Sequence, residues 1–396
     1  MTRLWDKGKP LDRRVLEYTA GEDHVLDDRL VAYDVRASIA HAEMLHDCKL
    51  LAAQDLALIR DALRELGDAH ERGEWRVTLE QEDGQTALEN LLIERIGKAG
   101  GRLHLGRSRN DQVLAAIRLY LRDAVEELRT GAIAVADALD ALAERERDTS
   151  LPGYTHMQPA MPSSVPLWAA GFAAEIRDDA AGLRLTQRRI AQNPLGSAAG
   201  YGTPNLPLNR EHTRERLGFE VTQEPVTAVQ LSRGKAEAHV LFEICLLMQD
   251  LSRLASDLLL FYTQEFALVE LPEAFTTGSS IMPQKRNPDV FELMRGRAAV
   301  AQACLQEALA ITAKLPSGYQ RDLQLLKAPL FRGIDVCGQT LDIVPAALEG
   351  VRFRHENIRL DPTIHAAAEA NALAVKEGIP FREAYQRIAR KLARER

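Results

Sequence analysis

The chain has 396 residues, 46% hydrophobic and 27% charged, a globular balance that excludes global disorder. Its 50 Lys and Arg against 57 Asp and Glu leave a net charge of −7 with both signs interspersed, without the basic surplus of a dedicated nucleic-acid binder. Aromatic residues make up only 5%, fewer than a β-sandwich or barrel draws on, so the composition leans helical.

The first ten residues lack the apolar core of a signal peptide. No run of about 18 apolar residues offers a membrane span. Cys48, Cys245, Cys304 and Cys337 are far apart and form no CxxC, which fits structural thiols in a reducing compartment better than a zinc ribbon. A soluble, cytoplasmic protein is expected.

In chain order, helices are predicted at about 29–70, 86–98, 112–149, 164–191, 226–271, 289–314, 322–350 and 362–396. Between 112 and 149 only Gly131 weakens the helix. Leu114, Ile117, Leu121, Val125, Leu128, Ala132, Val135, Leu139 and Leu142 recur there at steps of three and four. Val240, Ile244, Leu247, Leu251, Leu254, Leu258 and Phe261 repeat the rhythm. Leu241, Cys245, Met248 and Leu259 widen this second stripe, so the helix is buried on more than one side. A helix of ~35 residues spans ~50 Å. The fold class predicted is all-α, an elongated bundle of long helices with smaller terminal regions.

Three Gly- or Pro-rich loops carry the polar residues least suited to scaffolding. The first is Gly106-Arg-Ser-Arg-Asn-Asp-Gln112, ahead of the first long helix. Its plain reading is an N-cap by Asn110 or Asp111. Its functional reading is a carboxylate cradle of two arginines beside free N–H groups. The second, Pro152-Gly-Tyr-Thr-His-Met-Gln-Pro-Ala-Met-Pro162, holds Thr155 and His156 between prolines. A histidine there can move protons near neutral pH, or be an ordinary surface residue. The third, Thr277-Gly-Ser-Ser-Ile-Met-Pro-Gln-Lys-Arg-Asn-Pro-Asp289, sets Lys285 six residues after Ser279. It can supply several donors to an anion, or simply be a solvated loop. There is no P-loop, no strand-borne GxGxxG and no HExxH. Neither nucleotide, metal nor other cofactor is expected.

The run Gly278–Asp289 resembles the signature of the fumarase/aspartase superfamily. Within it, Gly106–Gln112, Gly153-Tyr-Thr-His156 and Leu315–Lys327 resemble the argininosuccinate lyases, and the similarity runs from Leu4-Trp5 to Gly378–Ala384. The resemblance implies three helical regions, at 1–109, 110–350 and 351–396, with the long bundle in the middle. It implies a homotetramer with a twenty-helix core and active sites where loops from three subunits meet. The small-molecule substrate is then argininosuccinate, split by β-elimination into arginine and fumarate. Ser279 is the implied base, with Lys285 and Asn287 stabilising the aci-carboxylate intermediate. His156 protonates the leaving nitrogen or orients the group that does, and the base and acid labels of this pair stay open. Asn110, Thr155, Tyr319, Gln324 and Lys327 match substrate-binding positions, with Arg109 as a carboxylate partner beside them.

The chain departs from the pattern at Gln85, where the family usually has histidine, and at Leu105, where it usually has threonine. Gln85 can hydrogen-bond but carries no titrating proton. The family's N-terminal substrate serine is not evident, and Asp23 is a candidate for its place. The sequence also stops soon after Phe381–Tyr385, so part of the family's last helical region is expected to be missing. These departures keep two other readings open: a sister lyase releasing fumarate from another N-substituted aspartate, and a non-catalytic tetrameric homologue.

Overall fold

The computed structural model describes residues 12–395; Leu4-Trp5, where the resemblance begins, lies outside them. The helices of the N-terminal part are α1 (Arg13–Ala20), α2 (Asp23–Leu26), α3 (Val31–Asp47), α4 (Ala53–Glu71) and α5 (Gly84–Ile96). Then come α6 (Arg109–Arg145), α7 (Val165–Leu185), α8 (Gln187–Ile190), α9 (Arg210–Leu217), α10 (Val226–Leu231) and α11 (Lys235–Tyr262). The last are α12 (Asp289–Thr312), α13 (Lys327–Gly350), α14 (Ala366–Glu377) and α15 (Phe381–Glu395). Strands among the described residues form three two-stranded ribbons. The fold is all-α.

The two periodic stripes are both buried. On α6, every predicted stripe residue from Leu114 to Leu142 is 3% exposed or less, and on α11 those from Val240 to Phe261 are 5% or less. Gly131, inside α6, has a packing reason: a Cβ there would sit 3.0 Å from the Cβ of Leu341 on α13. Glycine's weak helix propensity is accepted for that close approach.

The chain groups into two compact units. One takes the chain as far as Arg129, then Ala181–Cys245 and Val300–Cys337. Its main apolar core lies between α3, α4 and α5, with Leu45, Ile59, Leu63 and Leu92 fully buried. A second, smaller cluster joins Ala37 and Ala40 to Leu195, Leu217 and Phe219. The other unit is Thr130–Ala180, Leu246–Ala299 and Gly338–Arg396. There Trp168 packs edge-on to Phe172 and Phe353 and donates its indole N–H to Asp257 at 2.9 Å. That bond satisfies the buried ring's only polar atom.

Four segments differ from the expectation. The 29–70 stretch is two helices, α3 and α4, parted where Lys49 adopts φ 62°. The 226–271 stretch is broken at Gly234, whose φ of 84° ends α10 and lets α11 start afresh. The 362–396 stretch is two helices, because Gly378 adopts φ 64° and Pro380 follows. The 151–162 loop is an antiparallel ribbon, β1 (Ser150–Thr155) against β2 (Gln158–Ser164). Proline-rich strands of six and seven residues leave no alternating signal to detect.

Gly234 is held twice, by its left-handed backbone and by a neighbour. A Cβ there would lie 2.5 Å from Cγ2 of Thr312. Gly234→Ala should destabilise the protein by about 2 kcal/mol in urea unfolding. Thr312→Ser, which removes the clashing methyl, should restore part of that loss in the double variant.

Candidate active site

The start of α6 is tied down by a buried carboxylate. Asp111 accepts the backbone N–H of Ser108 at 2.9 Å, and those of Gly196 and Ala198 at 3.0 and 2.9 Å. Burial pushes its pKa up to about 6 despite those bonds. The helix is capped by Ser108, whose hydroxyl accepts the Asn110 N–H at 3.3 Å. Capping therefore falls to neither Asn110 nor Asp111, and Asn110 sits half-buried in the first turn.

The two arginines of this loop part company. Arg107 is buried and turns inward, donating to the Ser38 hydroxyl at 2.8 Å. Only Arg109 stays half-exposed, so the loop presents one guanidinium to solvent rather than a pair. Arg109 donates to Asp83 at 2.7 Å and to Thr86 at 3.3 Å, with Glu82 at 3.6 Å.

Lys327 opens α13 and has no exposed side-chain surface. Its Nζ lies 2.9 Å from Asp23 and 2.5 Å from Asp27. Asp27 accepts, besides, the backbone N–H of Gly84 at 3.0 Å. Burial works against the lysine's charge, yet Asp27 and Asp23 outweigh it and hold the ammonium above its ordinary pKa. Gln324 is buried in the turn just before, and its Oε1 accepts no hydrogen bond among the described residues. Burial raises the pKa of the half-buried Tyr319 phenol, against the pull of Arg233 and Arg321. Neighbouring residues link Lys327 to the α6 start. Asp27 binds Gly84, and the adjacent Asp83 binds Arg109. Beside them Gln85 is 2% exposed, with both amide atoms unpaired among the described residues.

The remaining predicted residues lie in the other unit, on exposed loops. Thr155 and Gln158 close the β1–β2 ribbon, leaving His156 and Met157 as a two-residue turn with φ of 53° and 61°. A hairpin turn with both central residues left-handed normally takes Asn-Gly. Here a His-Met pair is held in it, at a backbone cost of order 1 kcal/mol or more per residue. Thr277 and Asn287 pair backbone to backbone at 3.0 and 2.8 Å, cinching the 278–286 loop. Inside it the Ser279 hydroxyl accepts the N–H groups of Ile281 and Met282 at 3.4 and 3.2 Å. Asn287 donates to the Gly278 carbonyl at 3.4 Å. Lys285 is exposed. Among the described residues no hydrogen bond joins the hairpin turn to the serine loop.

Sequence reasoning missed Asp27 and Asp83, the acids that hold Lys327 and Arg109. A usable signal was present: carboxylates at 23, 27 and 34 recur on the buried side of an amphipathic stretch. None of the helices in the described residues is long and apolar enough to cross a membrane, and the four cysteines are free thiols.

Long buried helices with polar loops at their ends are the architecture that the fumarase/aspartase resemblance implies. Residues 14–303 match the family model described as lyase. The chain is 49% identical to the argininosuccinate lyase of Sorangium cellulosum, over 99% of this chain and 91% of that one. It is 37% identical to the argininosuccinate lyase of Thermotoga neapolitana, over 100% of this chain and 99% of that one. Among solved structures, an EDDS lyase variant with bound fumarate matches with a TM-score of 0.79 at 25% identity, covering 96% of this chain and 76% of that one. The chain belongs to the argininosuccinate lyase family.

His41, on α3, supports the approach to this site. It is fully buried, with Nε2 3.0 Å from the Leu105 carbonyl, and burial together with Arg107 pushes its pKa down to about 3. The unfolded chain takes up this proton near pH 6.5 while the folded one does not, so the stability His41 contributes is lost as the pH falls. Relative to His41→Gln, the wild-type advantage in urea unfolding should shrink by about 1.4 kcal/mol per pH unit below 6.5.

Proposed function

We propose that this lyase cleaves argininosuccinate by β-elimination to arginine and fumarate, a step of arginine biosynthesis. The near full-length identity to curated argininosuccinate lyases supports the substrate. The observation that carries the chemistry is the Ser279 hydroxyl. Two backbone N–H groups point at its oxygen, and donors of that kind favour the anionic form a base must adopt.

The C–H bond next to a carboxylate breaks first and its electron pair moves into that carboxylate; the pair then returns to form the C=C bond as the C–N bond breaks, and the nitrogen leaves with the C–N pair. Ser279 takes the proton. The intermediate carries two negative charges on one carboxylate, which Lys285 and Asn287 in the same loop stabilise. His156 protonates the departing guanidino nitrogen or orients the group that does; the base and acid labels of the pair stay open, and in the reverse reaction each group returns the proton it moved. Arg109, Asn110, Thr155, Tyr319, Gln324 and Lys327 bind the substrate.

The enzyme acts as a cytoplasmic homotetramer with shared active sites. Two features support this. The catalytic residues His156 and Lys285 and the substrate-binding Thr155 are exposed in the protomer, a poor setting for chemistry that needs water excluded. The long helices also keep apolar side chains uncovered: Phe242 and Leu246 on α11 are 47% and 39% exposed, and Leu293 and Leu309 on α12 are 59% and 52%. Uncovered apolar stripes on bundle helices are the surfaces that association buries. The free thiols fit a reducing compartment.

Purified protein should release fumarate from argininosuccinate, followed by its ultraviolet absorbance, and Ser279→Ala and His156→Asn should each lower kcat by roughly 10³-fold or more. No fumarate from argininosuccinate, with release from another succinyl amine, would move the assignment to a sister lyase. If Ser279 and His156 reach one site from different subunits, mixing and reassembling the two inactive variants should recover up to about a quarter of wild-type activity. Zero recovery would place both residues on one subunit.

A further inference from the structure

Four residues of the 194–202 loop adopt positive φ, among them Gly196 at 83° and Ala198 at 50°. Ala198 does so with a side chain, a conformation that persists only where the surroundings over-determine the backbone. Those surroundings are specific. Arg210, opening α9, donates through Nε to the Leu195 carbonyl at 2.8 Å, and its Cγ stands 2.7 Å from where a Cβ on Gly196 would lie. Asn193 accepts the Leu195 N–H through Oδ1 at 3.2 Å and donates through Nδ2 to the Arg210 carbonyl at 2.9 Å. The start of the loop is thus clamped to α9. Held in that shape, it turns the N–H groups of Gly196 and Ala198 onto one atom, Oδ2 of Asp111.

Asp111 lies 85 residues away in sequence and is fully buried. Its other oxygen accepts the N–H of Ser108, the residue just before Arg109 and Asn110. One carboxylate therefore joins the clamped loop to the segment that presents Arg109 and Asn110. The start of α6 does not need that charge, since Ser108 already caps the helix, and a neutral acceptor is less costly to bury. We propose that Asp111 is a positioning residue for the elimination, whose carboxylate fixes the register of Arg109 and Asn110 against the clamped 194–202 loop. The ionised form is required, because three N–H groups converge on its two oxygens and protonation turns one of those oxygens into a donor. The charged groups acting on Asp111 are the guanidiniums of Arg107 and Arg210, and Asp34 on α3 shares Arg107 with it. Both guanidiniums keep their charge across the neutral range. Burial lifts the Asp111 pKa to about 6, so the register loosens as the pH falls through that value. The inference rests on the reading of Arg109 and Asn110 as substrate-binding residues.

Steady-state kinetics between pH 5 and 8 test it, on whichever succinyl amine the wild type turns over. If that compound is not argininosuccinate, the substrate reading fails and the comparison still decides the role of Asp111. At pH 8, Asp111→Asn should raise KM about 10-fold and leave kcat within about 2-fold. Wild-type KM should rise about 5-fold between pH 7 and pH 5, while that of the variant stays flat, so the gap closes to about 2-fold. A variant that unfolds at lower urea yet keeps the wild-type KM at every pH would make the carboxylate structural only and overturn the proposal. So would a wild-type KM that does not change between pH 7 and pH 5, a measurement that needs no variant to fold. An equal rise at low pH in Asp111→Asn assigns the titration to another group and has the same consequence.

Discussion

The ammonium of Lys327 has no access to water, and much of the binding half of the molecule is arranged around that fact. A lysine so placed survives as a charge only if acids are buried with it, and removing one partner of such a pair costs about 3–5 kcal/mol. The acids come from the far end of the chain: Asp27 is 300 residues away in sequence. That single requirement fixes α2 against the start of α13. Through the second oxygen of Asp27 it reaches Gly84 and the first turn of α5. One residue earlier Asp83 receives Arg109 from the start of α6. Four segments with no sequence proximity thus meet through carboxylates, each with a stated partner.

The reactive loops are built on the opposite principle. His156 and Ser279 are placed by local backbone, a two-residue turn and a cinched loop, and neither depends on a distant ion. Local closure lets a loop be exposed and still hold its shape, because the bonds that define it are its own. The turn at His156 shows the cost. Two consecutive residues with side chains adopt the left-handed conformation that glycine would take freely. Strain of this kind persists where the surrounding structure over-determines the backbone, and here the ribbon on either side does so.

This contrast decides what the sequence could reveal. The stripes on α6 and α11 were legible residue by residue, because helical burial is a local periodicity. The serine loop and the histidine were legible as motifs for the same reason: each is a short contiguous run. Gly234 was readable only as a weak point, since the obstacle that makes a side chain impossible there is Thr312, some eighty residues on. The pairing of Arg107 and Arg109 into one cradle failed because neighbours in sequence point to different partners, one to Ser38 and one to Asp83. Of the Lys327 cluster only the acid side left a local trace, in the spacing of Asp23, Asp27 and Asp34, since nothing local distinguishes a lysine bound for the interior from one on the surface.

The division between paired and unpaired charge also bears on catalysis. Coulomb energy between unit charges 4 Å apart is about 1 kcal/mol in water and about 4 kcal/mol at the effective dielectric near a protein surface. Lys285, standing in solvent, is worth little as a stabiliser of the proposed dianion. Its strength rises only when water is displaced from the loop. The binding half has no such latitude, because its ions are already dry and must be paired at all times. On the proposed assignment, recognition falls to the unit that holds Lys327, whose buried groups are set by their partners before any substrate arrives. On the same proposal, chemistry falls to the loops of the other unit, where the Lys285 charge stays weak until solvent is excluded. An enzyme that eliminates fumarate from one succinyl amine among several gains from that order, since the charge needed for the hard step is switched on after the substrate has been read.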